Sequence, residues 1–361
     1  MIRSGRLAVL YLVVATLLAV GSFPLATMQV SAQDDVLIGY SSPELVGAQR
    51  EIQQGLVDHA EAKGWEVQTV DAQADAQKQF DDINNYIAQQ VDAIVAVPFD
   101  STAICSAVEA ANEADIPFYT IDRSPIGCAI NMTVLSDNYL AGQQSAEEIV
   151  KLLTERHGSP TGKVLQITGN LSQNVAQLRG GGFDDVMKNY PEIEVITEVG
   201  DWDANRGGNI VRDVASAEQD LDAIYVHSDA AYFTAVISAL DELGRLIPRG
   251  EEGHIILAGV DAAPVCHEAI RDGSADQCSS QPIPDFGIIA NYIEMELNGQ
   301  EIPLGEVVEE GALWSPARIE ESDVGLQLIL ATTSVTPENV DDERLWGNIA
   351  AEPSAAATPE A

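Results

Sequence analysis

Residues that suit hydrogen bonding to a small polar ligand follow several apolar runs that are predicted to be buried strands. Asp122 and Arg123 follow the run 116–121, and Ser228 and Asp261 each follow a later run of the same kind. Ligands bind just beyond the carboxyl ends of strands in open α/β sheets. A carboxylate accepts hydrogen bonds and a guanidinium donates them in a planar fork, so the pattern favours a polyhydroxylated ligand. The alternative for Asp122 and Arg123 is an ion pair on a surface loop.

Trp202 and Gln281 occupy comparable positions. Trp202 lies between Asp201 and Asp203 after a predicted strand, and Gln281 follows the strand predicted near 276–280. An aromatic face stacks on the apolar face of a sugar ring, while flanking polar groups bind the hydroxyls. The alternative for Trp202 is an aromatic side chain that packs only on its own loop.

Arg179 is a further candidate, and both it and Asp261 have alternative roles. Arg179 precedes Gly180–Gly182 close to a predicted strand-end loop, and its alternative is a solvated side chain on a helix. The alternative for Asp261 is to cap the helix predicted to begin near Pro264. The glycine run falls within a helix and not directly after a strand, so it does not indicate nucleotide binding.

The sequence indicates neither a catalytic set nor a metal site. Its five histidines are scattered singly, without an HExxH pattern or a GxSxG motif to pair with them. The acidic pairs Asp81-Asp82 and Glu309-Glu310 are more typical of solvated faces than of catalytic carboxylates. No cofactor is expected.

Residues 1–32 are predicted to be a cleaved secretory signal peptide. Arg3 and Arg6 precede the apolar run 7–20, and residues 30–32 form a small-x-small cleavage site. The alternative is an uncleaved membrane anchor, but the apolar run is shorter than the roughly 20 residues of a spanning helix. The chain is therefore expected to be exported across the cytoplasmic membrane and to be periplasmic or associated with the cell surface.

The charge of the chain argues against one class of partner. With 57 acidic and 18 basic residues its formal net charge is −39, whereas nucleic-acid binding requires basic patches. The acidic balance fits a solvated, soluble surface. Residues 348–361, rich in Ala, Pro, Ser and Glu without an apolar period, are predicted to be a disordered tail.

The four cysteines of the chain indicate disulfides, because an exported chain folds where disulfides persist. Three connectivities are possible. We favour Cys105–Cys128 and Cys266–Cys278, since each of these pairs closes a local loop. A zinc site would need a tighter CxxC-like spacing.

Strand-like apolar runs alternate with helix-like stretches over most of the chain. The alternation extends from 36–40 to 132–135 and restarts with a long helix predicted at 141–155. Alternating units of this kind predict an α/β fold with mostly parallel sheets flanked by helices. Two successive series predict two similar lobes. The absence of a long linker near 136–139 implies that the lobes share a cleft.

Five motifs stand in a fairly specific order along the chain. They are VDAIVAVP at 91–98, IPFYTIDR at 116–123, SDN at 136–138, LRGGGF at 178–183 and GVD at 259–261. Their order and spacing resemble the periplasmic sugar-binding proteins of ABC importers, of the ribose and galactose type, over about Val36 to Trp346.

The resemblance implies the type I periplasmic-binding fold, in which two lobes joined by three hinge crossings close on a sugar. The N-terminal lobe is then expected to comprise residues 33–137 and 283–310, and the C-terminal lobe residues 138–282 and 311–347.

The resemblance also implies roles for individual residues. Trp202 matches a position at which the family stacks an aromatic ring, and Ser228 matches a position that is often Asn. The first loop, 41–47, lacks the Asn and paired Phe of the ribose binders, which argues against ribose, and Glu44 is either a replacement contact or a solvent-facing acid. The residues implied to hydrogen-bond sugar hydroxyls are Asp122, Arg123, Arg179, Asp261 and Gln281.

The predicted function is that of a non-enzymatic, monomeric receptor that binds a monosaccharide or related polyol and delivers it to an ABC permease. Two alternatives share some of the evidence. A sensory module that presents the closed lobes to a membrane receptor would have the same structure. A secreted carbohydrate enzyme would need a paired acid and base, and the sequence marks none.

Overall fold

The computed structural model describes residues 36–349, so the predicted signal peptide and most of the predicted tail lie outside the described residues. Residues 348 and 349 complete a short helix instead of beginning the tail. The strands are β1 (Leu37–Ser42), β2 (Glu66–Asp71), β3 (Ala93–Ala96), β4 (Phe118–Ile121), β5 (Met132–Ser136), β6 (Gly162–Thr168), β7 (Ile193–Val199), β8 (Ala223–Val226), β9 (Ile256–Asp261), β10 (Gln277–Ser280), β11 (Gly305–Val307), β12 (Ala317–Ser322), β13 (Gly325–Leu330) and β14 (Thr333–Val335).

The helices connect these strands in nearly regular alternation. They are α1 (Ala48–Glu61), α2 (Ala76–Gln89), α3 (Cys105–Glu113), α4 (Asn138–His157), α5 (Asn174–Met187), α6 (Ala204–Ala217), α7 (Asp229–Glu242), α8 (Pro264–Asp272), α9 (Ile289–Leu297) and α10 (Trp346–Ile349), with a 3-10 helix at Ile283–Ile288. Within residues 36–349, none of the helices is both long enough and apolar enough to cross a bilayer.

Two sheets organise the described chain. The first has the order β11-β12-β13-β5-β4-β3-β1-β2, and the second has the order β14-β10-β9-β8-β6-β7. Strands of the central region pair in parallel, whereas β11, β12 and β14 pair antiparallel to their neighbours at the sheet edges. The predicted class, two α/β lobes with mostly parallel sheets, is confirmed.

Local sequence accounts for many element boundaries. Ala93–Ala96 is buried at every position, as expected of a parallel strand covered by helices on both faces. The side chains of Asp75 and Asp203 accept hydrogen bonds from the first-turn amides of α2 and α6. Gly158 ends α4 with a positive φ of 75°, a conformation that suits glycine.

The predicted lobe boundaries differ from the structure in one segment. Residues 311–347 were expected in the C-terminal lobe, yet β12 and β13 extend the first sheet, with Leu326 paired to Met132. Strand β13 pairs with β5, and the alternation of strand-like and helix-like stretches along the sequence does not reveal such a pairing. The chain passes between the sheets after β5, after β10 and after β13, so it makes three crossings, as the resemblance implied.

Apolar cores flank each sheet. Tyr40, Val95 and Phe286 belong to the core on one face of the first sheet, and Ile94 and Phe118 to the core on the other. The 3-10 helix approaches α1 so closely that a Cβ on Gly287 would lie 2.1 Å from the carbonyl oxygen of Gly55. Glycine at both positions therefore permits the 3-10 helix to pack closely against α1.

The cysteines form the two bridges favoured from the sequence, Cys105–Cys128 and Cys266–Cys278. The first lies in the N-terminal lobe and the second joins α8 to β10 in the C-terminal lobe. In the described residues Asp229 lies near Cys266 and Cys278, but both sulfurs are in the disulfide, so this group does not form a thiolate metal site.

Candidate functional site

A cavity of about 290 Å³ lies between the lobes, at the carboxyl ends of strands from both sheets. Six of the seven residues singled out in the sequence line it, namely Asp122, Arg123, Arg179, Trp202, Ser228 and Asp261. The other lining residues are Glu44, Val46, Gly47, Ala48, Gln49, Ile52, Val175, Ala230, Ala231 and Ile283.

The N-terminal lobe contributes a buried acid and arginine directly after β4. Asp122 Oδ2 lies 3.4 Å from Arg123 Nε and accepts a hydrogen bond from Gln49 Nε2 at 3.1 Å. One terminal nitrogen of Arg123 donates to the carbonyl of Pro98. Burial lowers the pKa of Arg123, opposed by the charge of Asp122. The surface ion pair considered as an alternative is wrong, because both side chains are about nine-tenths buried.

The C-terminal lobe contributes a second ion pair. Arg179 on α5 lies 3.1 Å from Asp261 Oδ1, and Ser228 Oγ donates to Asp261 Oδ2 at 2.5 Å. Arg179 Nε donates to Asn138 Oδ1 at 2.8 Å, and another guanidinium nitrogen donates to the carbonyl of His227. The solvated alternative for Arg179 is therefore wrong. Burial raises the pKa of Asp261, whereas Arg179 and Ser228 oppose that shift.

Asp261 does not cap α8, the alternative role considered for it. The residue before α8 is Ala263, and no side chain caps that helix. Asp229 instead holds the turn, because its two carboxylate oxygens accept from the amides of Ala262 and Ala263 at 2.7 and 2.8 Å. Burial, with the nearby charge of Asp261, raises the pKa of Asp229. Sequence reasoning did not assign Asp229 this role, although its place beside Ser228 is a signal.

Trp202 is held in the cavity wall by both backbone and ring. Its backbone amide donates to Tyr232 Oη at 2.6 Å, and its φ is 60°. The ring lies 5.9 Å from the guanidinium of Arg179 and covers Gly169, where a Cβ would lie 1.9 Å from the indole. Trp202 also packs against the core of its own lobe. Trp202 therefore both packs against its own lobe and lines the cavity.

Gln281 is the predicted site residue that does not line this cavity. It lines a neighbouring cavity of about 380 Å³ near the hinge crossings, together with Trp314 and Trp346. Its side chain is buried, and among the described residues neither its amide oxygen nor its amide nitrogen has a hydrogen-bond partner. Its backbone amide donates to the carbonyl of Asp261 at 3.2 Å.

The two lobes touch beside the cavity through one turn of the C-terminal lobe. The backbone amide of Ser101 donates to the carbonyl of Ser172 at 3.3 Å, and the amide of Asn174 donates to Ser101 Oγ at 3.2 Å. The amide of Ser124 donates to Asn174 Oδ1 at 3.1 Å. Gln173 Nε2 donates to the carbonyl of Phe99 at 2.7 Å. The lobes are thus closed over the cavity.

Two lobes, three crossings and a polar cavity at strand ends between the lobes define a two-lobed α/β binding protein. The chain matches the model of the periplasmic binding protein domain over residues 38–301. It belongs to that family, which confirms the resemblance seen in the sequence.

Two relatives illustrate the family. The ribose import binding protein RbsB of Bacillus subtilis (strain 168) is 31% identical over 222 residues, which cover 61% of this chain and 68% of that protein. The galactofuranose-binding protein YtfQ of Escherichia coli (strain K12) is 29% identical over 224 residues, which cover 60% and 68%.

Solved structures show the same fold. A carbohydrate transporter solute-binding protein from Agrobacterium radiobacter, in complex with D-arabinose, superimposes with a TM-score of 0.74 at 18% identity. That match covers 88% of this chain and all of the other. A solute-binding protein from Bacillus halodurans with bound myo-inositol gives a TM-score of 0.71 at 24% identity, covering 86% and 97%.

Proposed function

We propose that this chain is an extracytoplasmic solute-binding protein that captures a monosaccharide or related polyol between its lobes and delivers it to an ABC importer. Its relatives include import binding proteins for ribose and D-apiose and a galactofuranose-binding protein. The family membership and the geometry of the cavity support this function together.

The observation that carries the proposal is the pairing of charges in the cavity. Asp122 pairs with Arg123 in one lobe, and Asp261 pairs with Arg179 in the other. Each pair offers donors and acceptors while its net charge is zero. An uncharged hydroxyl both donates and accepts, so it satisfies such a surface.

The size of the cavity indicates a small ligand. Its volume of about 290 Å³ lies at the low end of the usual range for ligand sites. One sugar ring is therefore a better match than an oligosaccharide. Trp202 supplies an aromatic wall against which the apolar face of the ring stacks.

We infer binding and not hydrolysis from the same carboxylates. Asp122 and Asp261 each have an arginine partner in their own lobe, whereas a glycosidase needs one carboxyl group that keeps its proton for the leaving group. Burial nevertheless raises the pKa of Asp261. A turnover assay therefore accompanies the binding test.

The test is a thermal-shift screen of residues 33–361 against pentoses, hexoses, polyols and amino acids. A ligand that binds only the folded state raises the melting temperature by mass action. One sugar or polyol is expected to shift the wild type strongly and to shift Arg123→Ala and Asp261→Ala much less. The control is Arg212→Ala, which removes an arginine paired with Glu242 outside the cavity. A shift by amino acids alone, or turnover of the bound sugar, would refute the proposal.

The partner is tested separately, because the fold also occurs in the fructose-binding periplasmic domain of a hybrid two-component system, with a TM-score of 0.73. Cells that lack this protein are expected to lose uptake of the radiolabelled sugar. Normal uptake with loss of the transcriptional response to the sugar would instead assign the protein to sensing.

A further inference from the structure

Gln173 connects Trp202 to the opposite lobe through one amide. Its Oε1 accepts a hydrogen bond from Trp202 Nε1 at 2.6 Å, and its Nε2 donates to the carbonyl of Phe99 at 2.7 Å. Gln173 and Trp202 belong to the lobe of the second sheet, whereas Phe99 follows β3 of the first. Only 1% of Gln173 is exposed, so its amide makes both bonds from a buried position.

The orientation of this amide is determined by its two partners. The indole nitrogen of Trp202 donates and never accepts, and the carbonyl of Phe99 accepts and never donates. The amide oxygen of Gln173 must therefore face Trp202 and its nitrogen must face Phe99. Gln173 immediately precedes α5, but its side chain makes no capping bond there. The start of the helix thus does not explain this side chain.

We propose that Gln173 is a positioning residue that makes stacking by Trp202 conditional on closure of the lobes. This inference rests on the proposed function. When the lobes open, the carbonyl of Phe99 withdraws and the amide of Gln173 is free to rotate. It then no longer presents an oriented acceptor to the indole. Closure orients the amide, and the amide orients the ring.

The contacts around Ser101 and Asn174 also join the lobes, but none of them reaches Trp202. Among the hydrogen bonds between the lobes in residues 36–349, that of Gln173 is the one that continues to Trp202. Stacking and closure are therefore coupled at this residue, and such coupling is reciprocal. A ring that stacks on Trp202 is therefore expected to stabilise closure more than linear sorbitol does.

Two substitutions test the two hydrogen bonds of the Gln173 side chain separately. Gln173→Glu keeps the shape and an oxygen facing Trp202, but it sets an acceptor against the carbonyl of Phe99. Trp202→Phe keeps an aromatic ring and removes the donor to Gln173. The matched control is Gln177→Ala, because Gln177 is exposed and donates to the carbonyl of Leu171 within its own lobe.

The readout is the closed fraction measured by single-molecule fluorescence transfer. Cysteines introduced at Gln89 and Glu192, which are exposed on the two lobes, carry the dyes, since all four native cysteines are in disulfides. Histograms are recorded without sugar and with D-ribose, D-arabinose, D-allose, myo-inositol or linear sorbitol. Affinity for the same compounds is measured by titration calorimetry.

We expect Gln173→Glu to lower the closed fraction and to weaken binding about tenfold, the usual effect of losing one buried hydrogen bond. Trp202→Phe is expected to lower the closed fraction even without sugar, although its described hydrogen-bond partners lie in its own lobe. The double variant is expected to close no less than Gln173→Glu alone. Gln177→Ala is expected to match the wild type.

The inference is overturned if Trp202→Phe closes like the wild type without sugar, or if the effects of the two substitutions on closure add. It is also overturned if Gln173→Glu binds the panel as tightly as the wild type does. If no compound of the panel binds the wild type, the proposed function is in question. The closed fraction measured without sugar then still decides the role of Gln173.

Discussion

The indole nitrogen of Trp346 donates a hydrogen bond to the backbone carbonyl of Asp261. Trp346 begins α10, and Asp261 ends β9 and lines the cavity. Asp261 has a φ of 112°, a conformation that a residue with a Cβ rarely adopts. A helix close to the end of the described chain therefore supports a strained turn of the candidate site.

Trp346→Phe is expected to weaken sugar binding without removing the ring from the core. The lost hydrogen bond leaves the turn at Asp261 less well held and costs about 1 kcal/mol of stability. Calorimetric titration and urea unfolding measure the two effects. Trp65→Phe, at a buried tryptophan of the first lobe, is the control. Equal affinity in the two variants would show that Trp346 does not position Asp261.

Arg179→Met is expected to destabilise the protein by about 3–5 kcal/mol, because it leaves the buried carboxylate of Asp261 without its charge partner. Adding Asp261→Asn removes the unpaired charge, so the double variant is expected to be more stable than Arg179→Met alone. Urea unfolding of the wild type, both single variants and the double variant measures the coupling. A double variant at least as unstable as the sum of the single variants would contradict this role of the pair.

The stability of the protein is expected to depend on His227 in acid. Burial, and after it the charge of Arg179, lowers the pKa of His227 to about 3, below the value of about 6.5 in an unfolded chain. Between these values the unfolded chain binds one proton more, so the free energy of unfolding falls by about 1.4 kcal/mol per pH unit as the pH decreases. His227→Gln is expected to remove this part of the slope.

The pH dependence of the free energy of unfolding is compared between the wild type and the variant. This comparison is needed because buried Asp229 and Asp261 have raised pKa values and contribute a pH dependence of the opposite sign. A carboxyl group with a raised pKa keeps its proton to a higher pH in the folded state than in the unfolded chain, so its contribution to stability is lost as the pH increases. Urea unfolding from pH 4 to 7 is the measurement. His157→Gln, at an exposed histidine, controls for the loss of an imidazole. Parallel slopes for the wild type and His227→Gln would contradict the prediction.

The two disulfides are expected to differ in their reaction with reductant. Cys266 and Cys278 are fully buried, whereas Cys105 and Cys128 are partly exposed. Exchange requires a thiolate to reach a sulfur atom, so mild reduction of the native protein is expected to open Cys105–Cys128 first. Alkylation followed by peptide mass spectrometry identifies the order, and Cys266–Cys278 opening first would contradict it. Loss of either bridge is expected to cost about 3 kcal/mol.

Much of the fold is predictable because its signals are local. Apolar runs such as 93–97 and 255–260 predict the bounds of β3 and β9 to within two residues, and the helices between strands follow the periodicity of the sequence. Strands β12 and β13 were missed because their partners are distant along the chain. Pairing of β13 with β5 joins residues nearly two hundred positions apart, and no local pattern encodes such a register.

The sequence by itself determined which residues follow the carboxyl ends of the strands, and hence that Asp122, Arg123 and Asp261 meet at one cleft. Strand direction and side-chain type predicted that meeting, although the same reasoning also placed Gln281 there. Only the tertiary structure decided that Gln281 lies outside the cavity and that Gln173 joins Trp202 to the other lobe. The orientation of a side-chain amide depends on the donors and acceptors around it. For Gln173 these come from segments distant along the chain, and they become its partners only after the lobes have packed.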